Sequence, residues 1–67
     1  MITVNVNNQL HSFSKELSIS ELLSHLNIVQ KGIAVAVNNT IITRAAWDDF
    51  MLKNDALVLV IKATQGG

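Results

Sequence analysis

The run Ala56-Leu57-Val58-Leu59-Val60-Ile61 constrains the fold of this chain more than any other segment. It is a continuous series of aliphatic residues, several of them β-branched, and such residues favour an extended strand. A strand that is apolar on both faces is typical of the interior of a sheet rather than of its edge. We therefore predict that this segment forms a central strand and that the rest of the chain is arranged around it.

Length and composition indicate one small folded domain. The chain has 67 residues, of which 49% are hydrophobic and 15% are charged, and this is too apolar for intrinsic disorder. Five basic residues balance five acidic residues and are scattered, so we expect no nucleic-acid or membrane surface. The sequence contains no membrane-spanning run and no signal segment, which favours a cytoplasmic protein.

The chain contains few residues that could do chemistry with their side chains. Cysteine is absent, which excludes disulfides, thiolate catalysis and cysteine-based metal sites. His11 and His25 fall in different predicted elements without a ligand pattern, so we predict that both are surface residues. With no nucleophile paired with a base and no phosphate-binding glycine loop, we expect neither a metal site nor an active site in this chain.

The amino-terminal half predicts a hairpin and one helix. Ile2–Val6 alternates apolar and polar residues, and Asn7-Asn8 can take the positive φ of a hairpin turn, so Gln9–Phe13 should return antiparallel. Ser18 is then the expected N-cap of a helix, with Glu21 closing a capping box. The apolar stripe that this helix should lay against the sheet consists of Ile19, Leu22, Leu23 and Leu26.

The second half predicts a further strand and a short helical turn. Ile33–Val37 is an apolar run rich in β-branched residues, which indicates a strand that ends at Asn38-Asn39 and is followed by a short extension at Ile41-Ile42. Thr43 is a candidate N-cap for about one helical turn. The residues that this turn should place on one face, as a satellite of the core, are Trp47, Phe50 and Met51.

The two faces of the predicted central strand carry different residues. Leu57, Leu59 and Ile61 alternate with Val58 and Val60, so each set points to one side of the sheet. Because one helix covers only one face, we expect the set of Val58 and Val60 to lie open. An open apolar patch on a small protein usually marks a surface that binds a partner.

The chain closes with Gly66-Gly67, which are two of its three glycines. Glycine has no Cβ, so such an end can pass through a narrow channel and bring its carboxylate close to an enzyme. Residues 63–67 have no apolar pattern and reach about 17 Å when extended. We predict a folded domain of residues 1–62 and a flexible tail of residues 63–67 that carries a reactive carboxylate.

This order of elements with a Gly-Gly end resembles the ubiquitin-like β-grasp fold and, within it, the ThiS family of sulfur carriers in thiamin biosynthesis. The stretches that carry the resemblance are Ser18-Ile19-Ser20-Glu21-Leu22-Leu23, Ala34-Val35-Ala36-Val37-Asn38, Ile42-Thr43-Arg44-Ala45-Ala46-Trp47 and Gly66-Gly67. The resemblance implies an α+β fold, in which a mixed sheet of four to five strands packs on one main helix. Asn8 and Asn54-Asp55-Ala56 depart from the glycine-containing turns of the family, but asparagine and aspartate can adopt the same conformations.

The resemblance also implies that the chain is a protein cosubstrate and not an enzyme. In such carriers an E1-like adenylyltransferase (ThiF-like) uses ATP and Mg to adenylate the terminal carboxylate, and a sulfur donor system converts the adenylate to a thiocarboxylate. A thiazole synthase (ThiG-like) then takes the sulfur. In this sequence Gly67 would be the acyl site and Gly66 would give access, while Val58, Val60 and Arg44 would help to dock the activating enzyme. No cofactor would be bound by this chain.

Three alternative functions stay open from the sequence. The small subunit of molybdopterin synthase is a β-grasp carrier with the same Gly-Gly end and the same activation chemistry, although such chains are usually longer. A protein modifier would instead form isopeptide bonds with lysines on its targets. A non-catalytic interaction module could have the same fold, because one scaffold hosts many functions.

Overall fold

The computed structural model describes residues 1–62, which form two β-sheets around one α-helix. The strands are β1 (Ile2–Val6), β2 (Gln9–Phe13), β3 (Leu17–Ser18), β4 (Ile33–Val37), β5 (Thr40–Ile42), β6 (Met51–Leu52) and β7 (Ala56–Lys62). Helix α1 spans Ile19–His25, and a 3-10 turn spans Arg44–Ala46. The predicted flexible tail, residues 63–67, lies outside the described residues.

The main sheet has five strands in the order β2-β1-β7-β4-β5. The carboxyl-terminal strand β7 lies in its centre, parallel to β1 and antiparallel to β4. Hydrogen bonding to a strand on each side leaves β7 without a free edge, which suits its apolar run from Ala56 to Ile61. The predictions of a mixed sheet and of a central last strand are confirmed.

Two hairpins of the same design flank β7. Asn7-Asn8 joins β1 to β2 with φ angles of 49° and 68°, and Asn38-Asn39 joins β4 to β5 with φ angles of 50° and 69°. Positive φ at both central residues is the requirement of a type I′ turn, which matches the twist of the strands that it connects. The first hairpin was predicted. Asp55, in the turn before β7, also has a positive φ of 69°, so it adopts the conformation that glycine would supply.

Helix α1 is short and is defined by caps at both ends. The Ser18 hydroxyl accepts a hydrogen bond from the Glu21 N–H, and the Glu21 carboxylate accepts one from the Ser18 N–H, so the predicted capping box is present. At the other end Asn27 has φ 57°, and the Ile28 N–H donates to the Leu23 carbonyl at 2.9 Å. This is a Schellman ending. Because so short a helix is unstable alone, these caps and its buried face hold it.

The core lies between α1 and one face of the main sheet. The side chains with essentially no exposed surface are Val4, Ile19, Leu22, Leu23, Val35, Leu52 and Val58. Three residues of the predicted helical stripe are among them, and Leu26 is half-buried against the same cluster. The stripe is therefore core, as predicted.

The region after β5 differs in part from the prediction. Trp47 is buried and its indole N–H donates to the Ile42 carbonyl at 3.0 Å, so it does belong to the core. Thr43 precedes the 3-10 turn without making a side-chain capping bond. The placement of Met51 beside Trp47 was wrong, because Met51 lies in β6 opposite Ser18 and points outward. A two-residue strand is too short to show a period-two pattern in the sequence.

Candidate functional site

The predicted reactive residues, Gly66 and Gly67, lie outside the described residues, so the structure locates the site through the strand that leads to them. β7 ends at Lys62, and residues 63–67 follow it in the sequence. Five residues span at most about 18 Å. An enzyme that acts on the Gly67 carboxylate must therefore reach within about 18 Å of the end of β7.

Asparagine side chains from both hairpin turns bind the backbone of β7. The Leu57 N–H donates to Oδ1 of Asn38 at 3.0 Å, and the Asn38 N–H donates to the Leu57 carbonyl at 2.8 Å. On the other flank the Val60 N–H donates to Oδ1 of Asn7 at 2.8 Å, and Nδ2 of Asn7 donates to the Val60 carbonyl at 3.2 Å. The strand is thus held near its start from one side and near its end from the other.

The face of the main sheet that points away from α1 is an exposed apolar surface, called here the outer face. Its exposed large side chains are Leu10, Ile41, Leu57, Leu59 and Ile61. Strand register brings them together, because Leu59 lies opposite Ala36, which lies opposite Ile41. In the same way Asn5 lies opposite both Leu10 and Leu57. Among the strand positions that the structure describes on this face, no side chain is charged.

The open face of β7 is the opposite of the one predicted from the sequence. Val58 has 0% relative exposure and Val60 is packed against the core, whereas Leu57, Leu59 and Ile61 are 38%, 42% and 47% exposed. The prediction that Val58 and Val60 form an open docking face is therefore wrong. The physical reason is register, since Val58 lies opposite the buried residues of β1 and β4 and shares their face.

Arg44, the third predicted docking residue, is exposed and lies over the core tryptophan. Its guanidinium carbon is 4.7 Å from the centroid of the Trp47 ring, which is the geometry of a cation–π contact. The Ser20 hydroxyl donates to the Asp48 carboxylate nearby, at 2.5 Å. Arg44 therefore covers the ring of Trp47 while its charge stays accessible from solvent.

The part of the chain that the structure describes offers no metal cluster and no membrane-spanning helix that could act independently of the tail. Within residues 1–62 no cluster of three or more His, Cys, Asp or Glu side chains could hold a metal ion. No helix of the described part is long and apolar enough to cross a membrane. His25 is exposed, with its ring 5.5 Å from that of Phe13, and His11 is half-buried on β2. Neither histidine is placed as a ligand by these contacts.

Asn5 is a polar residue in the middle of the apolar outer face, and its Oδ1 is buried without a hydrogen-bond partner among the described residues. A buried acceptor that lacks a bond is destabilising, and valine is a good strand former. We expect Asn5→Val to stabilise the domain by about 1 kcal/mol and to raise the melting midpoint by roughly 4 to 8 °C. Thermal unfolding followed by circular dichroism measures this. A lower midpoint would mean that the Asn5 amide contributes a favourable contact.

Sequence reasoning missed two parts of this site. The exposed side chains of β7 were assigned to the core, and the asparagines were read as turn residues only. The available signal was the repetition of Val-Asn-Asn, which begins at the last residue of Ile2–Val6 and again at the last residue of Ile33–Val37. It places an amide at the same point of two hairpins. What those amides bind could be known only once both hairpins were seen to flank β7.

Comparisons with known proteins agree with this architecture. Among solved structures, the chain is similar to the crystal structure of a thiamine biosynthesis protein (ThiS) from Geobacter metallireducens, with a TM-score of 0.86, 26% identity, and coverage of 98% of this chain and 100% of that one. It is also similar to the solution NMR structure of a thiamine biosynthesis protein from Geobacter metallireducens, with a TM-score of 0.77, 26% identity and coverage of 98% and 88%. The search of curated proteins found no match.

The sequence itself matches a family model. The model described as the ThiS family matches residues 4–67, a range that takes in the last three residues of β1, the whole of α1 and β7, and the terminal Gly66-Gly67. The predicted β-grasp fold and the resemblance stated from the sequence are both confirmed. The chain therefore belongs to the ThiS family of sulfur carrier proteins.

Proposed function

We propose that this chain carries sulfur for the thiazole moiety of thiamin as a thiocarboxylate on Gly67. The observation that carries the proposal is the extension of the family match through Gly66-Gly67, on a chain whose central strand leads directly into that end. The solved structures that the chain resembles are described as thiamine biosynthesis proteins, which favours the thiamin pathway over the molybdopterin alternative.

The chemistry needs activation before sulfur can be loaded. A carboxylate is a poor electrophile, so one oxygen of the Gly67 carboxylate first attacks the α-phosphate of ATP and pyrophosphate leaves. The resulting acyl-adenylate has a good leaving group. A sulfide equivalent from the sulfur donor then attacks the carbonyl carbon and displaces AMP, which leaves a thiocarboxylate. The thiocarboxylate sulfur is the atom that a thiazole synthase (ThiG-like) accepts.

In this scheme the chain is a cosubstrate, and the activating enzyme (ThiF-like) binds ATP and magnesium. The role of this chain is to dock and to present its end. Gly66 lacks a side chain, so the last peptide unit can enter a narrow active site. Correct placement of the carboxylate contributes much of the rate enhancement, because a small misplacement of a reacting group lowers the reaction rate by orders of magnitude.

We further propose that the activating enzyme docks on the outer face, around Leu57, Leu59 and Ile41. These side chains form an uncharged, exposed apolar surface on a small domain, which is the usual character of a partner site. Two of them lie on β7 itself, so a partner bound there is within the reach of residues 63–67. Arg44 is exposed and would add a charged contact outside this apolar surface.

The proposal is tested by isotope exchange between pyrophosphate and ATP, catalysed by a purified E1-like adenylyltransferase in the presence of the chain. Exchange reports formation of the acyl-adenylate without any sulfur donor. We expect the full chain to support exchange and a chain that lacks Gly67 to support none. Equal exchange with and without Gly67 would show that this carboxylate is not the group that is activated, and the proposal would be abandoned.

A further inference from the structure

On one flank, the last residues of β7 extend beyond the end of β1, while on the other flank they stay paired with β4 as far as Lys62. The parallel pairing of β1 with β7 ends where Val6 lies opposite Val58, and the chain of β1 then turns away at Asn7. Neighbouring residues of a strand direct their backbone groups alternately to the two flanks. The backbone groups of Leu57 bind Asn38 on the β4 side, while those of Val58 and Val60 bind on the β1 side.

The side chain of Asn7 takes the place of the next residue of β1. A primary amide has an acceptor oxygen and a donor nitrogen, so it can bind a peptide group as another peptide group would. Oδ1 of Asn7 accepts from the Val60 N–H and Nδ2 donates to the Val60 carbonyl, while the Asn7 N–H donates to the Val58 carbonyl at 3.0 Å. The ladder on this flank is thus continued for two residues past the point where β1 leaves it.

We infer that Asn7 is a positioning residue, which holds the β1 side of the exit end of β7 while β4 holds the other side as far as Lys62, and which thereby helps to fix the point from which the Gly-Gly tail leaves the domain. The inference rests on the proposed function. After Lys62 the chain has five residues with which to reach an active site, at most about 18 Å. A shift of the point where the tail begins therefore shifts the whole range of positions that its carboxylate can reach.

The loss of the Asn7 amide should therefore act on turnover more than on docking. Leu57 and Leu59, the proposed docking residues on β7, precede Val60 in the strand. If Val60 separates from the β1 side, Leu59 keeps its pairing with Ala36 of β4 and Leu57 keeps its bonds to Asn38, so the partner still binds. Fewer bound carriers then present the carboxylate in the productive position, which lowers the rate of the chemical step.

A matched pair of variants separates this effect from general destabilisation. Asn7→Gly keeps the hairpin turn, because glycine adopts positive φ freely, and removes only the amide. Asn38→Gly makes the same change at the same position of the other type I′ turn, where φ is 50° instead of 49°. It removes a bond to Leu57, near the start of β7 and far from the exit. Asn7→Asp keeps an acceptor for the Val60 N–H and serves as the conservative variant.

The measurements are amide hydrogen exchange by NMR and adenylation kinetics with an E1-like enzyme, ATP and magnesium. Both are made at a temperature well below the melting midpoints of Asn7→Gly and Asn38→Gly. In Asn7→Gly we expect the Val60 amide to exchange about tenfold faster. The kcat for adenylation should fall about five- to tenfold, with KM changed less than about twofold. Asn38→Gly releases Leu57, a proposed docking residue, so any effect of this variant should fall on KM while its kcat stays within about twofold of that of the unaltered protein. Asn7→Asp should recover Val60 protection and part of the turnover.

The possible outcomes separate this inference from the proposal beneath it. Turnover that is unchanged in Asn7→Gly, or lowered equally in Asn38→Gly, would overturn the positioning role while leaving the carrier function intact. An unaltered chain that is not adenylated at all would remove the proposed function, and the positioning role with it. Faster exchange at Val60 combined with lower turnover only in Asn7→Gly would establish the inference.

Discussion

Replacement of Gly66 by tryptophan is expected to lower the rate of adenylation by about a hundredfold or more while leaving the fold intact. The indole would obstruct entry of the last peptide unit into an active site, and misplacement of a reacting group by about 1 Å is enough for a loss of this size. Residues 1–62 contain the whole described core, so the melting midpoint should change by less than about 2 °C. Pyrophosphate exchange and thermal unfolding measure the two quantities on the same sample.

Two other glycine variants make this test specific. Gly66→Ala adds only a methyl group and should give an intermediate loss of rate. Gly32→Ala should lower the melting midpoint and leave adenylation intact, which is the reverse of the effects expected for Gly66→Trp. The reason is that Gly32 has φ +72°, where alanine is strained. A Gly66→Trp protein that melts much lower than the unaltered chain would contradict the account, since residue 66 would then be part of the folded structure.

The neighbouring variants Val58→Lys and Leu59→Lys are expected to have opposite effects. Val58 is completely buried, and an unpaired buried charge costs about 4 kcal/mol or more. For a chain of 67 residues the total stability is on the order of 3 to 10 kcal/mol. Val58→Lys should therefore be largely unfolded or should melt about 20 °C lower. Leu59 is 42% exposed, so Leu59→Lys should change stability by less than about 1 kcal/mol.

Leu59→Lys should instead weaken the complex with the activating enzyme. Placing a charge in the centre of an apolar interface is expected to raise the dissociation constant about tenfold or more. Titration calorimetry without ATP measures this binding separately from the chemistry. Lys53→Glu, at an exposed position before β7, provides a control for the effect of changing surface charge. If Leu59→Lys bound as tightly as the unaltered protein, the outer face would not be the docking surface.

Most of the fold could be predicted from local patterns in the sequence. The hairpin at Asn7-Asn8 and the capping box of Ser18 and Glu21 are each determined by residues within a few positions of one another. The central position of β7 was also predictable, because a long apolar run is typical of a strand in the interior of a sheet and not of an edge strand. In each of these cases the physical requirement is local or depends on composition alone.

The orientation of β7 could not be obtained in this way. Leu57, Leu59 and Ile61 are as apolar as Val58 and Val60, so the alternation defines two faces without indicating which one meets the helix. The choice is made by the register with β1 and β4, in which Val58 lies opposite Val6 and Val37. Register between distant strands is a property of the assembled sheet, and one step of register exchanges the two faces.

For the candidate site, the sequence predicts only the chemical end, and this part stays a prediction. Gly66-Gly67 identifies itself through the absence of side chains, which is a property of the residues and needs no fold. The bonds from Asn7 to Val60 join residues 53 positions apart, so they exist only because the first and last strands of the main sheet are neighbours. Presentation of the tail is therefore a property of the tertiary structure.

Whether Gly67 carries sulfur can be read directly from the intact mass of the chain. The chain is incubated with its E1-like adenylyltransferase, ATP, magnesium, a cysteine desulfurase with its substrate cysteine, and a thiol reductant that reduces the desulfurase persulfide to sulfide. We expect a mass gain equal to the replacement of one oxygen by sulfur, and we expect this gain to be lost when Gly67 is deleted. Two controls are needed: the enzyme must support pyrophosphate exchange on the same chain, and the sulfur donor must be active on another carrier. If the mass then stays unchanged, Gly67 does not carry sulfur.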